Sequence, residues 1–192
     1  MDRVVDSCCL VVVGDGLLDI SDIFRGPLAI ERVFVYPRFM VSTGELRTQL
    51  LGLVRALDPA GLSGDAAAAV VRDLAVIEKA AATGRMFAAL RVAQTDAWRG
   101  QGHASAADWL AAQAGITVRE AASQLGTAKK AERLPKTNAA MRNGDLSPDQ
   151  AEAVAGAAAA DPGAESSLLD SARNDTTAQL RDKAAKAKAA AT

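Results

Sequence analysis

Between Arg119 and Arg142 the chain carries six basic side chains, Arg119, Lys129, Lys130, Arg133, Lys136 and Arg142, against Glu120 and Glu132. That local surplus of positive charge is the chemistry of phosphate contact. Each Lys or Arg that neutralises a phosphate releases counterions, so binding through such a set falls steeply as salt rises. At about 100° per residue, Arg119, Ser123, Gly126, Lys130 and Arg133 share one side of a helix, while Val118, Ala121, Leu125 and Ala128 share the other. The spacing predicts a helix packed by its apolar side, with a basic side facing solvent. The bland reading of the same pattern is an ordinary solvated helix face.

Other residue types able to do chemistry are few. His103 is the single histidine, and it stands beside Ser105 with no second histidine or nearby nucleophile, so a structural place at a turn is the expectation. Trp98 and Trp109 have rings that stack on bases, yet both fall at helix ends in amphipathic patterns, which favours anchoring in the core. Gly14-Asp15-Gly16 lacks the lysine and following helix of a phosphate loop and reads as a turn. The turn at Gly115-Ile116-Thr117 is similar to that of a helix-turn-helix, with Ala111 four residues before the glycine and a second helix opening at Val118. Gln124 falls where that motif wants a buried aliphatic residue. No residues for a catalytic centre, a metal or a cofactor are legible.

Short helices must position these groups. Ser105 is followed three residues on by Asp108, Thr117 by Glu120 and Ser147 by Gln150, three capping boxes in which a hydroxyl takes a free amide of the first turn. Pro148 suits the first helical position, Gly115 and Gly144 suit left-handed helix ends, and Pro135 interrupts the helix before it. Upstream, a helix is predicted from about Gly44 to Leu57, with Leu46, Leu50, Leu53, Val54 and Leu57 on one side and a capping box from Ser42 to Glu45. Asp58-Pro59 stops it. A second pattern runs without proline from Ser63 to about Trp98, with Val70, Leu74, Ile77, Ala81, Gly84 and Ala88 at steps of four and three. That heptad spacing fits lengthwise packing against a neighbour, or a dimer seam, over roughly 50 Å. Beyond Pro148, helices to about Ala160, around Leu168-Leu169 and after Thr176 are expected.

The composition sets the class. In 192 residues, alanine dominates, aromatics are 4%, and strand-like runs are nearly absent after Val41, which favours closely packed helices. A net charge of -1 gives no global attraction to nucleic acid or acidic lipid, so only a local patch can supply it. Cys8 and Cys9 are adjacent and make no disulfide framework, which fits a reducing cytosol. No apolar run is long enough to span a bilayer, and the opening Met1-Asp2-Arg3 lacks the basic region of a signal peptide.

Residues 1–39 differ in kind. Cys8–Val13 and Ile30–Tyr36 are β-branched and aromatic and are able to pair as a small hairpin, with no third strand to complete a sheet. The expectation is that Met40 is the biological start, with 1–39 an extension outside the helical region of 40–192. The chain also stops inside a helical pattern, as though cut short.

From about Leu46 to Ala190 the sequence resembles the bacterial domain of unknown function 222, the amino-terminal part of the 13E12-repeat proteins. The resemblance is carried by Leu57-Asp58-Pro59, Ala97-Trp98-Arg99 with Gly102-His103, Ser105-Ala106-Ala107-Asp108-Trp109-Leu110, Leu134-Pro135, and Asn143-Gly144-Asp145-Leu146-Ser147-Pro148-Asp149-Gln150-Ala151. Ala164-Glu165, Leu168-Leu169 and Gln179-Leu180-Arg181 follow in order. In that family the helical region is commonly followed by an HNH nuclease domain, to which the divalent metal would belong. With one histidine and no cysteine after Cys9, this chain cannot assemble that metal site. The resemblance implies a non-catalytic accessory module of an HNH-endonuclease-type protein, cytoplasmic, not itself an enzyme and without a cofactor, positioning or helping bind DNA. The alternative is a helical oligomerisation or protein-interaction module that forms a homo-oligomer through the long helix and does not touch DNA. Either way the expected fold is all-α, a multi-helix bundle around one long helix.

Overall fold

In the computed structural model, the described residues are Leu10–Val13 and Gly16–Asp19, as backbone, and residues 42–191. The chain divides into two compact units, Met1–Asp58 and Pro59–Thr192. In the first, β1 (Leu10–Val13) pairs antiparallel with β2 (Gly16–Asp19), Leu10 opposite Asp19 and Val13 opposite Gly16. The hairpin therefore uses the first predicted strand with a nearer partner. Two intervening residues are the shortest connection a hairpin uses, which favours the local pairing. Ile30–Tyr36 and the expected start at Met40 lie outside the described residues. Helix α1 (Thr43–Ala56) opens where Ser42 Oγ accepts the Glu45 N–H at 3.1 Å, and none of its residues is buried.

The second unit holds α2 (Gly64–Gln94), α3 (Ala106–Ala114), α4 (Val118–Ala131), α5 (Pro135–Arg142), α6 (Pro148–Ala158), α7 (Glu165–Asn174) and α8 (Thr177–Ala190). The described helical region is thus all-α, a multi-helix bundle with one long helix. α2 has 31 residues, about 46 Å at 1.5 Å per residue, and stops short of Trp98. The stop comes at Asp96, whose φ of 55° is left-handed, a conformation that breaks the helical ladder and that aspartate tolerates better than most residues.

α6 lies at the centre and touches α2, α4, α5, α7 and α8. Ala151, Val154, Ala155 and Ala158 of α6 are buried against Ala128 and Ala131 of α4, Met141 of α5, Leu168 of α7 and Leu180 of α8. Small alanine side chains bring the helix axes close, so the core is filled by a few large residues, Met86, Leu110, Met141, Leu146 and Leu180. A smaller cluster joins Ala89 of α2 to Leu110, Ala111 and Ala121, with Trp109 packed against it.

The capping residues act much as their spacing predicts. Thr117 with Glu120 and Ser147 with Gln150 form complete boxes, as does Thr176 with Gln179. Ser105 Oγ accepts the Asp108 N–H at 3.0 Å, but the Asp108 carboxylate turns to the Ala104 N–H and to His103 Nδ1, 3.1 and 3.2 Å away. His103 is thereby held at the turn before α3. Gly115 closes α3 in the left-handed region at φ 66°.

The buried residues of α2 all lie in its carboxy-terminal half. They are Ala82, Thr83, Met86, Ala89 and Leu90, whereas Ala81, Gly84 and Ala88 of the heptad stripe are exposed. The bundle therefore uses a different face of α2 from the one its heptad marks.

Candidate nucleic-acid interface

Helix α4 is the element that sorts the basic residues. Ala121, Thr127, Ala128 and Ala131 are buried, fixing one side of the helix against α2 and α6. Arg119, Lys129 and Lys130 then fall on the opposite side, and Arg133 continues it just past the last turn; all four are exposed. None of them makes an ion pair or side-chain hydrogen bond with another described residue. Val118, expected on the apolar side, is half exposed at 50%, because it begins the helix before the bundle wall is reached. Leu125 is half-buried between the two core clusters.

The two remaining basic residues leave this face. Lys136 Nζ donates to Ser166 Oγ at 2.6 Å, at the start of α7. Arg142 turns toward α2, its guanidinium 4.7 Å above the centre of the Phe87 ring and its Nε donating to Asn138 Oδ1 at 2.7 Å. These two are separated on α5 by the buried Thr137, Ala140 and Met141, so the six residues do not form a single patch. The cluster dense in sequence is a four-residue face with two outliers.

The surroundings of α4 add charges of both signs. A groove of about 360 Å³ between α4, α6 and α8 is bordered by Lys130, Asp149, Glu152, Arg181 and Lys188, with Gly156 and Ala157 among its lining. Arg181 donates to Asp149 at 3.0 Å, so one cation and one anion of the groove offset each other. Arg181 and Lys188, absent from the sequence-based set, are one heptad apart on α8. That spacing is a signal that places both on one side of a helix. A smaller recess, about 190 Å³, brings Arg119 and Glu120 near Asp149 and Glu152. Glu120 itself is held below the ordinary glutamate range, chiefly by the Thr117 N–H and then by its hydroxyl.

The helix-turn-helix comparison has a definite structural answer at Gln124. Its Oε1 is buried and has no hydrogen-bond partner among the described residues, at the place where that motif would seat an aliphatic side chain. Trp109 anchors the second core cluster as expected and donates from Nε1 to Gln101 Oε1 at 2.9 Å. Trp98 instead is half-buried at the end of the turn after α2, under the Arg99 guanidinium at 5.1 Å, and belongs to neither cluster. The early end of α2 is the reason, since it moves Trp98 out of the helical register that pointed it inward.

Among the described residues, no three of His, Cys, Asp and Glu gather closely enough to hold a metal ion. No helix among them is long and apolar enough to cross a membrane. No protein-family model, no curated protein and no solved structure matches the chain.

Proposed function

We propose that this chain is a non-catalytic, cytoplasmic helical module that positions or helps bind DNA through the outward side of α4, as the accessory part of an HNH-endonuclease-type protein. The family portion of this reading rests on the resemblance to domain of unknown function 222. The DNA portion rests on one observation: Arg119, Lys129, Lys130 and Arg133 project together from the side of α4 that the bundle leaves uncovered. Unpaired surface cations are the groups able to exchange counterions for phosphates. The adjacent acids of α6 limit the field to a narrow strip, which favours a module that orients a duplex over one that binds it tightly by itself.

Fluorescence anisotropy with a labelled duplex tests the reading. Binding is expected at about 50 mM salt and should weaken by an order of magnitude or more by about 200 mM if several phosphates are contacted. No binding at the lower salt would defeat it. Incubation with duplex DNA and Mg²⁺ or Mn²⁺ is expected to give no cleavage. A second reading, a self-associating module, is favoured by the exposed Ile77, Ala81, Gly84 and Ala88 at heptad spacing on α2.

A further inference from the structure

Helix α2 has two faces suited to packing, and its own bundle uses one. Taking Val70 as the origin at 100° per residue, Val70, Leu74, Ile77, Ala81, Gly84 and Ala88 lie within about 40° of one line along the helix. The buried Ala82, Met86, Ala89 and Leu90 fall on the opposite side. Val70 and Leu74 are half-buried, Ile77 is 42% exposed, and nothing stands within 4 Å of where a Cβ on Gly84 would be. An apolar stripe at heptad spacing is the surface that a second helix covers.

Size and charge together select the occupant. Glu78 and Arg85 are exposed, lie on the same flank of the stripe one heptad apart, and have no ion-pair partner among the described residues. In a parallel pair of α2 helices, Asp73 on the other flank would approach the partner's Glu78, a like-charge contact. In an antiparallel pair with Ala81 crossing the partner's Gly84, Glu78 stands beside the partner's Arg85, and symmetry makes that contact twice. Ile77 then lies over the partner's Ala88, whose small side chain leaves room for it.

We propose that two copies of this chain associate antiparallel through the Ile77–Ala88 part of the α2 stripe, with the crossing point at Ala81 and Gly84. The surface is separate from the α4 face, and its tests contain no DNA, so its failure and that of the DNA reading are distinguishable.

The test uses the full chain with Cys8→Ser and Cys9→Ser, so that introduced thiols are the only ones. Sedimentation equilibrium is expected to give a concentration-dependent dimer, and a monomer at every concentration would overturn the proposal. When Ile77→Cys and Ala88→Cys chains are mixed and mildly oxidised, the mixed disulfide is expected. Residues 77 and 88 are about 16 Å apart along a helix, too far to bridge in a parallel pair. An Ile77→Cys homodimeric disulfide would therefore overturn the antiparallel arrangement. A disulfide within one chain carrying Leu53→Cys and Ile77→Cys would assign the stripe to α1 and also overturn it. Gly84→Leu overfills the crossing while meeting open space in the single chain, so at least tenfold weaker association with unchanged helical circular dichroism is expected. Undiminished association would contradict the crossing point. Glu78→Arg should weaken the dimer, and adding Arg85→Glu should restore it; failure to restore would remove the charge pairing.

Discussion

Glu165 Oε1 accepts two hydrogen bonds from Thr137, from its backbone N–H at 2.8 Å and from its hydroxyl at 2.9 Å. Both residues are buried. The contact supplies what α5 lacks locally: its N-cap is Leu134, which has no side-chain oxygen, and Pro135 follows it. A carboxylate from the first turn of α7 thus caps α5, and its negative charge sits at the positive end of the α5 dipole. Replacing Glu165 with Ala leaves a buried amide and a buried hydroxyl unsatisfied. The expected loss is about 2–6 kcal/mol in urea unfolding, since each such group costs about 1–3 kcal/mol. A loss below about 0.5 kcal/mol would mean that water replaces the cap.

Two glycines with similar backbone angles should respond differently to alanine. Gly115 at φ 66° has open space around its missing Cβ, and Gly144 at φ 73° would place a Cβ 2.8 Å from the Val76 carbonyl oxygen. Gly115→Ala should cost about 1–2 kcal/mol, the left-handed strain alone. Gly144→Ala adds a backbone clash between the α5–α6 turn and α2, so about 3 kcal/mol or more is expected. Equal costs in denaturant unfolding would show that α2 moves away freely at Val76.

Acid sensitivity should trace in part to Asp175. Lys183 Nζ donates to Asp175 Oδ2 at 2.6 Å and the Ser171 hydroxyl donates to the same oxygen; these bonds, Lys183 first, hold the carboxyl below its ordinary value. A depressed folded-state pKa gives stability that is present above the unfolded value of about 3.9 and is lost as pH falls through the folded value. Thermal unfolding of Asp175→Asn should therefore show a smaller fall in Tm below about pH 4 than the parent chain. An identical fall in both would place the acid sensitivity elsewhere.

The parts of this structure that depend on near neighbours are legible in the sequence. Thr117 with Glu120, and Ser147 with Gln150, announce the starts of α4 and α6 because both partners sit in one turn. The cap on α5 is not legible, because Glu165 is 28 residues beyond Thr137 and only the packing of α7 brings it there. The working face of α2 is hidden for another reason. Alanine fills both sides of this helix, so periodic contrast cannot say which one meets the bundle, and burial selects Met86 and Leu90 over the stripe through Ile77. The basic residues divide along the same lines. Helical phase separates Arg119, Lys129 and Lys130 from the buried Ala121 and Ala128. The turns of Lys136 toward Ser166 and of Arg142 toward Phe87 depend on tertiary partners that spacing does not reveal.

The most direct measurement is the salt dependence of duplex binding for the parent chain and for the Lys129→Ala, Lys130→Ala, Arg133→Ala triple variant. The logarithm of the binding constant is expected to fall linearly with the logarithm of salt. The variant should bind more weakly, with a slope shallower by about 0.9 for each lost phosphate contact, up to about 2.7 in all. Its unfolding midpoint should match the parent's, because all three side chains are exposed and unpaired among the described residues. Absence of binding by the parent at low salt, or an unchanged slope and affinity in the variant, would contradict the assignment of the α4 face to DNA.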